Sequence, residues 1–173
     1  MKTDLIFRQA TAHDIESIWE IIHFAIESRK QDGSEQWQDG YPNRTIIEND
    51  IQKRYGYVLA QNQEILFYAA LIGDKEPAYE AMEEAWLTSN QTYAVIHRVA
   101  ASPKAAGKGL SKIMMDFLEN EAKENGYKSI RIDTNYDNHA MLKILENRGY
   151  SYCGTVYFRG SARKAFEKLI ILD

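Results

Sequence analysis

With one cysteine in 173 residues, Cys153, no intrachain disulfide can form, and a reducing compartment is the natural setting. No apolar run approaches the roughly 18 residues that a membrane-spanning helix needs. The first residues, MKTDLIFRQATAHD, offer neither a long apolar stretch nor a small-residue cleavage site. No signal peptide is therefore expected, and the expected location is cytoplasmic, with no membrane partner. A surplus of positive charge is also missing: the formal net charge is −4, which argues against general nucleic-acid binding. Three prolines and ten glycines are too few for a fibrous or low-complexity chain. There is no internal repeat, and no metal site is expected.

What is present fits a single globular domain over residues 1–173, long enough to bury most of its apolar surface without covalent staples. LIFRQA reads as a first strand. Thr11 and Asp14 then form a capping box ahead of Ile15, Ile18, Trp19, Ile22 and Ile26, which share one helix face. After a polar loop, TIIENDIQKR reads as a short helix boxed by Thr45 and Glu48. YGYVLAQ and EILFYAALIG, two residues apart, read as an antiparallel hairpin. The acidic stretch DKEPAYEAMEEAW reads first as a solvated face carrying a short helix, and second as an attractor for a cationic substrate.

TYAVIHRVAAS is the strongest strand. The helix expected from Leu110 sets Ile113, Met114, Phe117, Leu118 and Ala122 at the spacing of one core-facing side and ends at Asn125-Gly126; KSIRIDT follows as a strand. Strand, long helix, strand makes a βαβ unit and a parallel pair. Asp137 can cap the helix NHAMLKILENR, and YSYCGTVYF and RKAFEKLIIL read as the last two strands.

Between the strongest strand and its helix lies SPKAAGKGLSK. The first N–H groups of a helix lack intrahelical acceptors and sit at the positive end of its dipole. Glycines let an anion approach that backbone closely. Taken alone, the stretch reads equally as a plain turn or as an anion cradle with Lys104 and Lys108 at its mouth. Neither the Walker pattern nor the dinucleotide fingerprint fits: Gly109 follows Lys108, and Lys112 stands where a third glycine belongs.

In sequence, HRVAASPKAAGKGLSKIMMDFL, IRIDT and NHAMLKILENRGY resemble the core of the GNAT superfamily of acyl-CoA-dependent N-acetyltransferases, over roughly residues 93–150. QWQDGYP, IHRVA, RIDT, DNHAM and YCGTVY together look like a bacterial subgroup of that superfamily. The resemblance implies an α/β (α+β) fold: a mixed, mostly antiparallel sheet with a central parallel strand pair and helices on both faces. It also implies an acyl-CoA-dependent N-acetyltransferase, with acetyl-CoA as co-substrate and no metal. Acetyl would pass directly to a primary amine of a small-molecule or amino-acid-like acceptor, and a homodimer is compatible with it.

The residues that the resemblance assigns to acetyl-CoA are Val99, Ala100, Ala101, Ala106, Gly107, Lys108, Gly109, Leu110, Ser111, Asn138 and Met141. Two departures stand out. Ala106, or Lys104 in the alternative register, replaces the usual Arg or Gln of the turn, and Leu145 replaces a tyrosine that protonates the leaving thiolate in many members. A thiol has a pKa of about 8.5, so its thiolate leaves tolerably without that acid. His97 is the first candidate base, against a structural histidine bonded in the sheet, and Asp133 is the second, against a salt-bridge partner of Arg98 or Arg131. Trp37 and Tyr41 are candidates for the acceptor-binding loop. Because the tyrosine is missing, an acyl-CoA-binding sensor or interaction module with little catalysis is an alternative, and a protein or peptide N-acetyltransferase is another.

Overall fold

In β1 (Leu5–Gln9) the chain enters as a strand, and Thr11 then turns it into a helix. The Thr11 N–H donates to Asp14 Oδ2 at 2.7 Å, and Arg8 grips both Asp14 oxygens at 2.7 and 2.9 Å. Asp14 is thereby held below the usual carboxylate range, chiefly by Arg8 and against the opposing effect of burial. The computed structural model describes residues 4–171. The elements that follow are α1 (Ile15–Gln31), α2 (Arg44–Gln52), β2 (Gly56–Gln61), β3 (Glu64–Ile72), α3 (Pro77–Glu80), β4 (Tyr93–Ala101), α4 (Leu110–Glu124), β5 (Ser129–Thr134), α5 (His139–Asn147), β6 (Ser151–Phe158) and β7 (Ser161–Leu169). The fold is mixed α/β, with seven mostly antiparallel strands and one parallel pair, β4–β5.

Two compact units divide these elements: residues 4–71 with 98–117, and residues 72–97 with 118–171. In the first unit, β1 runs antiparallel to β2 and β2 antiparallel to β3. The β2–β3 turn is Asn62-Gln63, both at positive φ (52° and 67°), the two-residue hairpin geometry that suits strand twist. Ile18, Ile22, Ile47, Val58 and Tyr68 are fully enclosed in its core. Burying each isoleucine contributes about 1.5–3 kcal/mol, which holds α1 and α2 to this unit. The start of α2 differs from expectation. Asn43 is the cap, its Oδ1 accepting from Ile46 N–H at 3.0 Å, so the helix begins before Thr45 can serve.

In the second unit the strand order is β4-β5-β7-β6. The parallel register runs from Tyr93 opposite Ser129 to Ile96 opposite Ile132. Here β7 starts two residues earlier than expected and ends at Leu169, because Arg159-Gly160 makes a tight hairpin that sets Phe158 opposite Ser161. The last residue of the expected strand, Leu172, lies outside the described residues. Asn138, not Asp137, caps α5: its Oδ1 accepts from Met141 N–H at 3.3 Å, while Asp137 takes Asn135 Nδ2–H at 2.6 Å. A polar knot sits inside this unit. Glu167, fully buried on β7, accepts from Leu87 and Thr88 N–H, from the Thr88 and Ser129 hydroxyls and from Arg131 Nε. The Arg131 guanidinium is stacked between Trp86 and Tyr93, 4.3 and 3.9 Å from their ring centroids.

Candidate active site

The glycine turn belongs to the first unit. Ser102, at the end of β4, donates its N–H to Leu66 carbonyl at 2.8 Å, and its Oγ accepts from Lys104 N–H at 3.3 Å, starting one tight turn at Pro103–Ala105. Gly107 and Gly109 then take φ of 72° and 66°, a region costly for any residue with a Cβ. A Cβ built on either would meet no atom within 4 Å. Space therefore lies open above this backbone just where α4 presents its first N–H groups. A cavity of about 410 Å³ adjoins it, lined by Phe24, Phe67, Ala101, Gly107, Gly109 and Ser111 among others. Ala106 and Lys108 are exposed, whereas Ala100 and Leu110 are buried and Val99 is half-buried. The ammonium of Lys104 is paired with Glu64, so its charge is partly spent there.

Arg98, next along β4, has a φ of 57°. Its guanidinium donates to Asp50 at 2.6 and 2.8 Å and to the Tyr41 hydroxyl at 2.6 Å, and the Tyr68 hydroxyl donates to Asp50 at 2.6 Å. Burial opposes the charge on Arg98, but Tyr41 and Asp50 outweigh it and hold the group firmly protonated. Burial, reinforced by Asp50, likewise pushes the Tyr68 hydroxyl far up. Tyr41 is thus tied to β4, and Trp37 packs half-buried against the core of the same unit.

The two candidate bases belong to the second unit, which brings them together. His97 Nδ1 is 3.8 Å from Asp133 Oδ2, and His97 Nε2 is 3.2 Å from Glu76 Oε2. The Asp133 Oδ2 also accepts the Tyr79 hydroxyl at 2.6 Å. Neither arginine expected beside Asp133 is there, because Arg98 pairs with Asp50 and Arg131 with Glu167. The arginine nearest Asp133 is Arg163, at 3.9 Å. Phe158 stands edge-on to His97 at 5.8 Å, and the Tyr79 ring lies 5.9 Å from His97. Glu76 is fixed from behind: its Oε1 accepts Ala78 N–H at 3.3 Å, and its own N–H donates to the Tyr93 hydroxyl at 3.2 Å. That hydroxyl donates to Glu80 at 2.6 Å, and burial, then Glu80, raises it to about 12. Tyr93 is therefore a neutral donor at physiological pH.

Sequence reasoning missed Glu76, Tyr79, Phe158 and Arg163. A signal existed for Glu76: an acidic residue directly before Pro77 is a helix-start pattern, and Glu76 does cap α3. Elsewhere in the second unit, Asn138 spends its Oδ1 on capping, and Met141 is half-buried on α5. Leu145 is fully enclosed. The Tyr150 hydroxyl is engaged with Glu119 at 3.0 Å, and burial holds it well above its usual range. Tyr136 and Tyr152 are exposed, and Cys153 is partly buried, its thiol pushed up by burial.

Comparison with known proteins accounts for a strand, glycine turn and helix in this order. The model of the acetyltransferase (GNAT) family matches residues 16–150. A crystal structure of a GNAT-family acetyltransferase from Streptococcus agalactiae 2603 is 36% identical, with a TM-score of 0.85 over 95% of each chain. The Bacillus subtilis (strain 168) protein named uncharacterized N-acetyltransferase YesJ is 26% identical over 168 residues, 95% of this chain and 89% of that one. The fold is shared with yncA of Salmonella typhimurium, a putative acetyltransferase solved with its cofactor acetyl-CoA, at 16% identity and a TM-score of 0.69 over 96% and 94% of the two chains. This chain belongs to the GNAT acetyltransferase family, whose general chemistry is acetyl-CoA-dependent acetylation.

Proposed function

We propose that the chain is one N-acetyltransferase domain that moves the acetyl group of acetyl-CoA directly onto a primary amine of a small-molecule or amino-acid-like acceptor. The observation that carries this reading is His97 held between the carboxylates of Glu76 and Asp133, on the same strand that leads into the open glycine turn. The turn fits the co-substrate, since two left-handed glycines with free space above them suit a bulky diphosphate. Backbone N–H groups of Gly107 to Ser111 would hold that diphosphate, and the backbone of Val99–Ala101 would align the acyl arm and supply oxyanion donors. Asn138 and Met141 would contact the arm from α5, and Trp37 and Tyr41 would border the acceptor.

Acetyl-CoA supplies an activated acyl carbon and a thiolate leaving group. The protein must deliver a neutral amine. His97 takes the proton released as the N–C bond forms and the C–S bond breaks, with Glu76 beside Nε2 ready to pass it on. Asp133, itself fixed by Tyr79, faces the opposite ring nitrogen.

Acetyl-CoA at 100 times its Kd should add about 2.7 kcal/mol of stability, raising Tm by roughly 5–10 °C. Gly109→Trp should abolish the shift, and no shift for the wild type at millimolar acetyl-CoA would sink the reading. Thiol release over an amine panel then measures transfer, and His97→Ala should change its pH–rate profile. The enclosed Leu145 favours a second reading, an acyl-CoA-binding module with little catalysis, which turnover with any acceptor removes.

A further inference from the structure

Four arginine side chains in the described residues are nine-tenths or more buried: Arg98, Arg131, Arg148 and Arg163. Three are satisfied. Arg98 meets Asp50 at 2.6 Å, Arg131 meets Glu167 at 3.1 Å, and Arg148 meets Glu119 at 2.6 Å. Arg163 is the exception. Its Nε is enclosed with no hydrogen-bond partner, and among the described residues its carboxylate partner is Asp133, in a long ion pair at 3.9 Å that lies outside hydrogen-bond range. A buried guanidinium ordinarily finds a carboxylate, because leaving it unpaired is costly.

Its position gives the exception meaning. The β5–β7 register sets Asp133 opposite Ala165, so Arg163, two residues along β7, projects on the same face as Asp133. One Asp133 oxygen faces Arg163, and the other faces His97 at 3.8 Å while accepting from Tyr79. Phe158 touches both sides, 5.8 Å from the guanidinium and 5.8 Å from the imidazole ring. A guanidinium with an unmet Nε–H and only a long ion pair therefore lies one carboxylate away from the proposed proton acceptor.

We infer that Arg163 binds the carboxylate of the acceptor, so that the substrate is an amino acid or a close amino-carboxylate, its amine toward His97 and Glu76 and its carboxylate on the guanidinium. Arginine suits this role because its fork matches a carboxylate in bidentate fashion. A plain alkylamine or polyamine would leave the guanidinium as it stands, with its Nε–H unmet and Asp133 beyond hydrogen-bond range. The inference rests on the amine-acetyltransferase reading above and assigns its substrate class.

The test compares matched pairs, each an α-amino acid and the amine left by removing its carboxylate, in thiol release with acetyl-CoA and in calorimetric binding. The wild type should favour the acid by roughly 10- to 100-fold in kcat/KM. Arg163→Gln should bring that ratio toward one, chiefly through KM, and Arg163→Lys should give an intermediate ratio. Arg163→Gln also gives up the 3.9 Å ion pair to Asp133 and the contact over Phe158, so its melting temperature should fall somewhat; if that variant fails to fold, Arg163→Lys and the wild-type ratio decide. A wild-type ratio near one, or an unchanged ratio in the folded variants, overturns the inference. If no acceptor is acetylated, the transferase reading fails and binding decides for Arg163. Tighter binding of the acid, lost in Arg163→Gln, supports it, and equal or absent binding overturns it.

Discussion

Glu167→Gln is a nearly isosteric change at a fully buried site, and it should be among the most damaging single substitutions in the second unit. Glu167 uses both oxygens: Oε2 takes Leu87 N–H at 2.6 Å and Thr88 N–H at 3.3 Å, and Oε1 takes the Thr88 and Ser129 hydroxyls at 2.5 Å each and Arg131 Nε at 3.1 Å. An amide nitrogen at the Oε2 position would face two backbone N–H groups. At the Oε1 position it would face Arg131 Nε–H, because only the hydroxyls can reverse and accept. Either orientation leaves donors opposed and the Arg131 charge unmatched, a loss of about 3 kcal/mol. For a chain of this length that lowers Tm by roughly 6–12 °C. Burial pushes the Glu167 carboxyl up, but hydrogen bonds from Ser129 and Thr88, together with Arg131, outweigh it, and the net direction is down. A depressed folded value means that the stabilisation is complete above the unfolded glutamate pKa of about 4.3 and is lost as pH falls through the lower folded value. Urea unfolding from pH 7 to pH 3 should therefore show a constant gap between wild type and variant down to about pH 5, then a narrowing one. A gap below about 1 kcal/mol at pH 7, or one that widens in acid, would refute the reasoning.

Leu145→Tyr, suggested by the tyrosine that other members carry there, should not restore a general acid: Leu145 is fully enclosed, so overpacking should cost about 1–3 kcal/mol without raising turnover. A higher kcat at unchanged Tm would overturn that. Tyr79→Phe removes the donor that fixes Asp133 and should cost about 1.5–3 kcal/mol of stability. Because the Tyr79 hydroxyl bears on the proposed base through Asp133, Tyr79 is a positioning residue: kcat should fall more than KM rises and the pH–rate profile should move, whereas a purely structural tyrosine would lower Tm alone.

Much of the fold was legible because its signals are local. The Thr11–Asp14 box, the isoleucine face of α1, the two-residue link between β2 and β3, and the β4–α4–β5 unit each declare themselves within a short window. The misplaced caps have a local cause too. At Asn43 and Asn138 a neighbouring Thr or Asp offered an equally plausible oxygen, and a shift of one or two residues in where the helical dihedrals begin decides between them. The glycine turn was readable for the same reason, since backbone chemistry needs only the backbone that the glycines permit.

The candidate catalytic cluster was half legible, and the missing half follows a rule. His97 and Asp133 sit on strongly patterned strands of one parallel pair, so their meeting follows from register. Glu76 comes from a segment whose composition reads as solvated surface, and it reaches His97 only because α3 turns it inward and Tyr93, 17 residues on, anchors its backbone. Arg163 has the same difficulty in a sharper form. On β7 it alternates among Lys164, Lys168 and Glu167 like any strand with a polar face, and nothing nearby marks it. Its significance is an unmet hydrogen bond, a property of everything packed around a side chain. Pattern reading can place a charged residue on a buried face, but only the packed unit shows whether its partner belongs to the protein or must arrive with the substrate.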